Sequence, residues 1–218
     1  DLNYTFDYIM DINELNNLKG NFYFKTACTN KTYDDNYSID HPYIKQLIRD
    51  IHNRGHEIGF HPSYETYQNS NQTKIEFNKL LEVCEKKGIQ KSQWGGRQHY
   101  LRWRGPQTWR NWADAGLSYD STLSYVDHAG FRCGVCYEFQ VFDLEQRKPL
   151  SLFEYPLIIM ENSILEKQNM SLSGDEAVNY MKKLKSRCQQ FQGQFTHLWH
   201  NNVFTNIEIR QMYERLLE

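Results

Sequence analysis

The chain has 218 residues, 39% apolar and 15% aromatic, which suits one large domain or a single α/β barrel with a sizeable core. Its 25 basic and 27 acidic residues give a net charge of −2, with no basic stripe and no apolar run long enough to span a bilayer. This argues against a nucleic-acid partner and against membrane insertion, and the recurrence of aromatic and branched residues argues against disorder.

Residues from about Tyr4 to Leu18 carry Phe6, Ile9, Met10 and Leu15 at helical spacing, and Lys19-Gly20 ends that helix. Asn21-Phe22-Tyr23-Phe24 is a short aromatic strand, followed by a polar loop with Asp34, Asp35 and Asn36. A second helix opens near His41-Pro42, turns Ile44, Leu47, Ile48 and Ile51 to one face, and stops at Gly55. Glu57–Phe60 is the next strand, with His61-Pro62-Ser63 just past its end. A third helix from about Thr73 to Lys87 is expected to place Ile75, Leu80, Val83 and Cys84 inward. Arg97-Gln98-His99 follows a third strand end, Thr108 to Ala115 is a Trp-rich helix closed by Gly116, and Leu117–Asp120 ends another strand. Residues Gly130 to Pro149 read as an elaborated loop, Leu152 to Met160 as one apolar strand, and Asp175 to Gln190 as a helix. Phe195 to Trp199 is a strand that ends at His200, and Thr205 to Leu217 is the last helix. The alternation predicts a parallel α/β architecture. With no internal repeat, linker or domain boundary, a single domain over residues 1–218 is expected.

The five cysteines, Cys28, Cys84, Cys133, Cys136 and Cys188, are odd in number and irregularly spaced, which fits a reducing compartment and a cytoplasmic location. Cys133 and Cys136 form a C-x-x-C without a second pair to complete a zinc site, so they read as two thiols in a turn after Gly130. Asp1 to Thr5 shows no signal peptide, initiator Met or opening strand, so the chain is expected to begin partway into a domain.

Polar residues gather after the strands: His61, Arg97 with His99, Asp120 and His200. In parallel α/β folds the loops at the carboxyl ends of strands build the active site. A lone His beside a strand is more often structural, but four such ends together point to a metal or acid–base site. His56 and Glu57 lie inside a strand and read as buried, hydrogen-bonded groups. His197 alternates away from His200. Tyr100, Trp103, Trp109, Trp112 and Tyr125 are core residues or, in part, a platform for sugar faces.

On these residues the chain resembles the polysaccharide deacetylase (NodB-homology, carbohydrate esterase family 4) family. Gly55-His56-Glu57-Ile58-Gly59-Phe60-His61-Pro62-Ser63 looks like its second motif, and Arg97 onward resembles the third. Tyr119-Asp120-Ser121-Thr122 resembles the fourth motif, and Leu198-Trp199-His200-Asn201 the fifth. The HPSY, R-x-H-Y-L-R and GFR-x-G-x-C stretches look closest to a bacterial subgroup. The resemblance implies a distorted (β/α) barrel, here lacking its first strand, and a divalent metal, commonly zinc. It implies a hydrolase acting on C–N bonds that removes N-acetyl, or O-acetyl, groups from a cell-surface polysaccharide or its precursor. By position, His61 would be a metal ligand, His200 the general acid, Arg97 the residue orienting the catalytic carboxylate, and Asp120 a support for His200 or the arginine network. Asp120 is equally readable as a turn residue before Ser121 and Thr122.

Three departures qualify the resemblance. The family's paired aspartates are not matched by Thr5-Phe6-Asp7, because helical periodicity follows Asp7 at once; they are expected upstream of Asp1. Where the family has a second metal His, this chain has Glu65, so His99 is the preferred ligand, with Glu65 or no metal as alternatives. Asn201 stands where many relatives carry Asp. A carbohydrate-binding relative without catalysis, or an amidase acting on a small amide, stays open beside the deacetylase.

Overall fold

The computed structural model describes residues 3–218. In chain order its elements are α1 (Phe6–Leu15), β1 (Asn21–Phe24), α2 (Pro42–Asn53), β2 (Glu57–Phe60), α3 (Ser70–Glu85), β3 (Gly95–Gly96), α4 (Gln107–Ala115) and β4 (Tyr119–Asp120). There follow β5 (Phe139–Asp143), β6 (Lys148–Glu154), β7 (Ile159–Met160), α5 (Glu161–Leu165), α6 (Gly174–Gln190), β8 (His197–Leu198) and α7 (Ile207–Leu217). The fold class is α/β, as the alternation predicts. The chain forms two compact units, one of Asn21–Thr122 with Phe139–Tyr155, the other of Asp1–Gly20, Leu123–Glu138 and Pro156–Glu218.

The first unit is a six-stranded sheet in the order β1-β2-β3-β4-β6-β5, parallel except for β5, which runs antiparallel to β6. Strands β3 and β4 have two residues each, so ladder hydrogen bonds alone do little to hold them. Packing does more: each fully buried Leu, Ile or Phe contributes roughly 1.5–3 kcal/mol over an exposed one. Leu47, Ile48 and Ile51 of α2, Phe77, Leu80 and Val83 of α3, and Trp112 of α4 are all buried. Asn69 caps α3 by accepting from the Gln72 amide, and Gly116 ends α4 in the left-handed conformation at φ 88°. Gly96 is required by close approach, since a Cβ there would lie 1.7 Å from the Phe60 carbonyl oxygen.

In the second unit β7 and β8 pair in parallel, and α6 buries Ala177, Val178, Met181 and Cys188 against Ile158, Ile159, Ile164, Met212 and Leu216. Helix α1 joins α7 through Asn13, which donates to the Tyr213 hydroxyl (2.8 Å), and Tyr8, which donates to Glu214 (3.0 Å).

Four expectations are corrected. Residues 130–149 are not all loop, because Phe139–Asp143 pairs with Lys148–Glu154 as a hairpin. The apolar run Leu152–Met160 is not one strand: β6 ends at Glu154, Pro156 lacks an amide proton to continue the ladder, and β7 belongs to a different sheet. Ile75 is 54% exposed, because the buried stripe of α3 runs through Thr73, Glu76, Phe77, Leu80, Val83 and Cys84. Leu15, at the end of α1, faces solvent.

Candidate active site

Strand ends position the first constellation. Phe24, Phe60, Gly96 and Asp120 close four neighbouring parallel strands, and the ladder continues one residue further: His61 N–H donates to the Phe24 carbonyl, Arg97 N–H to Phe60, and Ser121 N–H to Gly96. His61 and Arg97 therefore leave adjacent strands at the same level, and His99 follows in a short 3-10 turn, His99–Leu101. Tyr100 and Leu101 in that turn hold positive φ (56° and 51°), a conformation disfavoured for bulky residues and most often retained where geometry matters.

The hydrogen bonds of the two histidines settle their tautomers. His61 Nδ1 lies 2.7 Å from the Arg97 carbonyl oxygen, and His99 Nε2 lies 2.7 Å from that of Tyr33. Carbonyl oxygens only accept, so each of these nitrogens carries the ring's proton. The other two nitrogens, His61 Nε2 and His99 Nδ1, face each other at 3.0 Å. Burial pushes the proton affinity of His61 well below the usual histidine range, and the neighbouring His99 lowers it further. Burial likewise lowers His99. Two neutral rings then point lone pairs at each other with no proton between them, an arrangement that a cation relieves.

The donor set fits a divalent metal on three counts. Both nitrogens are neutral imidazole donors of the type that zinc takes. A tetrahedral ion with Zn–N bonds of ~2.0–2.1 Å would hold two nitrogens roughly 3.3 Å apart, close to the observed spacing. Each ring is oriented by its outer N–H on a backbone carbonyl, as metal-bound histidines usually are. Among the described residues, no group of three His, Cys, Asp or Glu side chains is placed to hold an ion, so the pair supplies a partial ligand set. Glu65 is engaged elsewhere, accepting from Arg102 (3.1 Å) and Asn30 (3.2 Å).

Two buried carboxylates brace the turn after His61. Glu76 accepts from the Ser63 amide (2.9 Å) and hydroxyl and from Gln72 (2.9 Å). Asp34 accepts from the amides of Tyr64, Thr29 and Asn30, each at 2.9 Å. Arg102 lies over the Tyr64 and Tyr67 rings, 3.8 and 4.0 Å from their centroids, and donates to the Tyr64 carbonyl (2.7 Å).

Arg97 is buried and donates from Nε to the Ser121 carbonyl (2.7 Å) and from Nη2 to its hydroxyl (2.9 Å). The Thr122 hydroxyl donates to Asp120 and accepts from the Gln98 amide (2.9 Å). Burial raises the Asp120 carboxyl to about 7, against the pull of Thr122 and Arg97. Asp120 is thus tied to the Arg97–Ser121–Thr122 segment. Of the aromatics, Trp112 is fully buried, Trp109 donates to Glu154 (2.9 Å), and Tyr100 is 58% exposed. Glu57 pairs with Lys91 (2.7 Å), while His56 is buried with its ring edge on Phe22.

His200 belongs to the second unit. The parallel pairing of β7 and β8 aligns Met160 with Leu198, so Glu161 and His200 emerge from the same end of neighbouring strands. Glu161 is fully buried, and its Oε1 accepts from both the His200 amide (3.0 Å) and the ring Nδ1. The imidazole itself is 47% exposed. A ring proton on Nδ1 leaves Nε2 as the ring's second site of proton exchange. Glu161 Oε2 is buried without a hydrogen-bond partner among the described residues. The strand-end rule that marks His200 also marks Glu161, which directly follows the expected strand end at Met160 but was not singled out.

The fold and these strand-end sites define an α/β protein with a mostly parallel sheet and two histidine-centred polar clusters. No protein-family model and no curated protein matches the sequence. Solved structures share the fold. A Mycobacterium smegmatis protein assigned as a polysaccharide deacetylase superposes with a TM-score of 0.63 at 18% identity, over 97% of this chain and 70% of its own. A Pseudomonas aeruginosa PAO1 protein with the same assignment gives 0.63 at 15% identity, over 97% of this chain and 65% of its own. Puue allantoinase gives 0.56 at 16%, over 79% and 55%. The chain has the α/β fold of these deacetylase structures. No helix among the described residues is long and apolar enough to cross a membrane.

Proposed function

We propose that the chain is a polysaccharide deacetylase-like hydrolase that uses one divalent metal, zinc by donor preference. It would remove N-acetyl, or O-acetyl, groups from a cell-surface polysaccharide or its precursor. The observation that carries this reading is the His61–His99 pair, whose lone pairs face each other at 3.0 Å while both ring protons rest on backbone carbonyls. The fold neighbours assigned as polysaccharide deacetylases support the same chemistry.

In this reading His61 Nε2 and His99 Nδ1 would hold the ion. When bound, such an ion polarises the acyl carbonyl and lowers the pKa of a water molecule. The carbonyls of Arg97 and Tyr33 keep both rings in the tautomer that can donate to it. The family resemblance gives Arg97 the role of orienting a carboxylate base, and Asp120 would support the arginine segment through Thr122. His200 donates the proton that the departing amine nitrogen needs as the C–N bond breaks. Glu161 positions the ring through Nδ1 and stabilises its protonated form.

The test combines metal analysis of the purified protein with acetate release from an N-acetylglucosamine oligomer. The reading predicts about one equivalent of divalent metal, lost in both His61→Ala and His99→Ala together with acetate release. Metal content unchanged in both variants would sink the ligand assignment. Stoichiometric metal with no acetate release from any acetylated sugar, but retained sugar binding, would favour a carbohydrate-binding relative.

A further inference from the structure

We propose that Cys136 and Cys188 are the two halves of an intrachain disulfide. By sequence they belong to an odd, irregular set in which Cys136 is paired by spacing with Cys133, not with Cys188. Folding places both in one buried cluster of the second unit, with Ile158, Ile159, Ala177 and Val178. Cys188, in the last turn of α6, is fully buried, and Cys136 is 5% exposed. The backbone between them is shared: Gly193 N–H donates to the Cys188 carbonyl (2.8 Å) and Gln194 N–H to the Cys136 carbonyl (2.5 Å). Gly193 makes the approach possible, because a Cβ there would lie 2.2 Å from Cys136 Sγ and 2.7 Å from the Cys136 carbonyl oxygen. Burial, together with the adjoining and hydrogen-bonded Cys136 thiol, raises the Cys188 thiol to about 12. Cys133, the other member of the C-x-x-C, is outside this cluster.

The oxidant is a small-molecule disulfide such as oxidised glutathione. A thiolate of one cysteine attacks it, forming a mixed disulfide and releasing one thiol. The second cysteine then attacks the protein sulfur of that mixed disulfide and releases the other thiol, so the pair loses two protons and two electrons and the oxidant gains them. In the folded protein both sulfurs are buried and the Cys188 thiol stays protonated, so the bond closes during folding and is then shielded from reductant. The bond would join α6 to the segment Leu123–Glu138, beside the Gly193–Gln194 turn that leads into β8.

The experiment is refolding of the whole chain in oxidised glutathione, alkylation without reduction, and peptide mapping. The expected result is a Cys136–Cys188 linked peptide, a mass loss of about 2 Da, and alkylated Cys28, Cys84 and Cys133. The midpoint of thermal unfolding should rise by about 5–10 °C over the reduced protein. The Cys136→Ser, Cys188→Ser double variant should lose that oxidant-dependent rise. Five alkylated cysteines after oxidative refolding, or a Cys133–Cys136 link, would overturn the proposal, and because the map is made on the unaltered chain, a variant that fails to fold does not obscure it.

Discussion

His61 and His200 both stand just past the end of a short parallel strand, yet different groups face their rings. In the first unit an imidazole meets an imidazole, both ring protons are taken by carbonyls, and the space between the rings favours a cation. In the second unit an imidazole meets a buried carboxylate, and the space between them is filled by a proton. In the proposed reading the same strand-end architecture serves as a cation-binding pair in one unit and a proton-exchanging pair in the other. The difference lies in one partner, His99 against Glu161.

The largest effect should come from removing a nitrogen of the first pair. His61→Ala or His99→Ala is expected to lower acetate release by at least about 10²–10³-fold, with loss of bound metal measured on the same sample. Next is Glu161→Gln, which replaces the acceptor at His200 Nδ1. It should lower kcat by about 10²-fold, shift the pH profile of kcat, and leave metal content and KM near their starting values. Loss of metal in this variant would erase the distinction between the two pairs.

A stability effect separates the bracing of His61 from its chemistry. Glu76→Ala leaves the Ser63 amide and hydroxyl without their buried acceptor and should cost about 2–3 kcal/mol, read as a fall in the urea midpoint. An unchanged midpoint would show that the turn does not depend on Glu76.

The metal-free protein should also carry a pH signature. Unfolded imidazoles take up protons near 6.5, while folded His61 and His99 do so only at lower pH. Between those values the unfolded chain binds more protons, so stability falls as the pH drops below 6.5, by at most ~1.4 kcal/mol per pH unit for each ring. Bound metal should extend this dependence to lower pH, because protons must displace it before the folded imidazoles can charge. Asp120 acts in the opposite sense: its carboxyl is raised from 3.8 to about 7, so its contribution is present below 3.8 and is lost as pH rises through 7. Asp120→Asn removes that opposing slope, and the acid arm of the stability curve should steepen slightly. A flatter arm in urea titrations across pH would contradict this sign.

Much of the fold could be read from local pattern. Strands Asn21–Phe24 and Glu57–Phe60 coincide with the expected bounds, because each is a short apolar run between polar punctuation. Helix α2 begins at Pro42 and ends before Gly55, where proline and glycine act through their own backbone limits. The hairpin of β5 and β6 was obscured by Pro149, which reads as a stop but sits near the start of β6 opposite Phe142. Its turn also lacks the usual glycine, with Arg147 taking φ 54° instead. Of the residues of α3 expected inward, Leu80, Val83 and Cys84 are buried and Ile75 alone is not, its place in the stripe being taken by Glu76 and Phe77. Five polar residues at strand ends were named from sequence; Glu161 follows the expected strand end at Met160 too, but its partnership with His200 rests on the pairing of β7 with β8, which the sequence does not show.

Residue order by itself determined most of the helices, the strands β1 and β2, and which polar side chains follow strand ends, since these depend on periodicity and on the conformational limits of Gly and Pro. Tertiary structure alone decided which side chain each of those residues faces. Whether an imidazole looks at another imidazole or at a carboxylate depends on the register of parallel strands far apart in the chain, and a register shift of one residue turns every side chain to the opposite face.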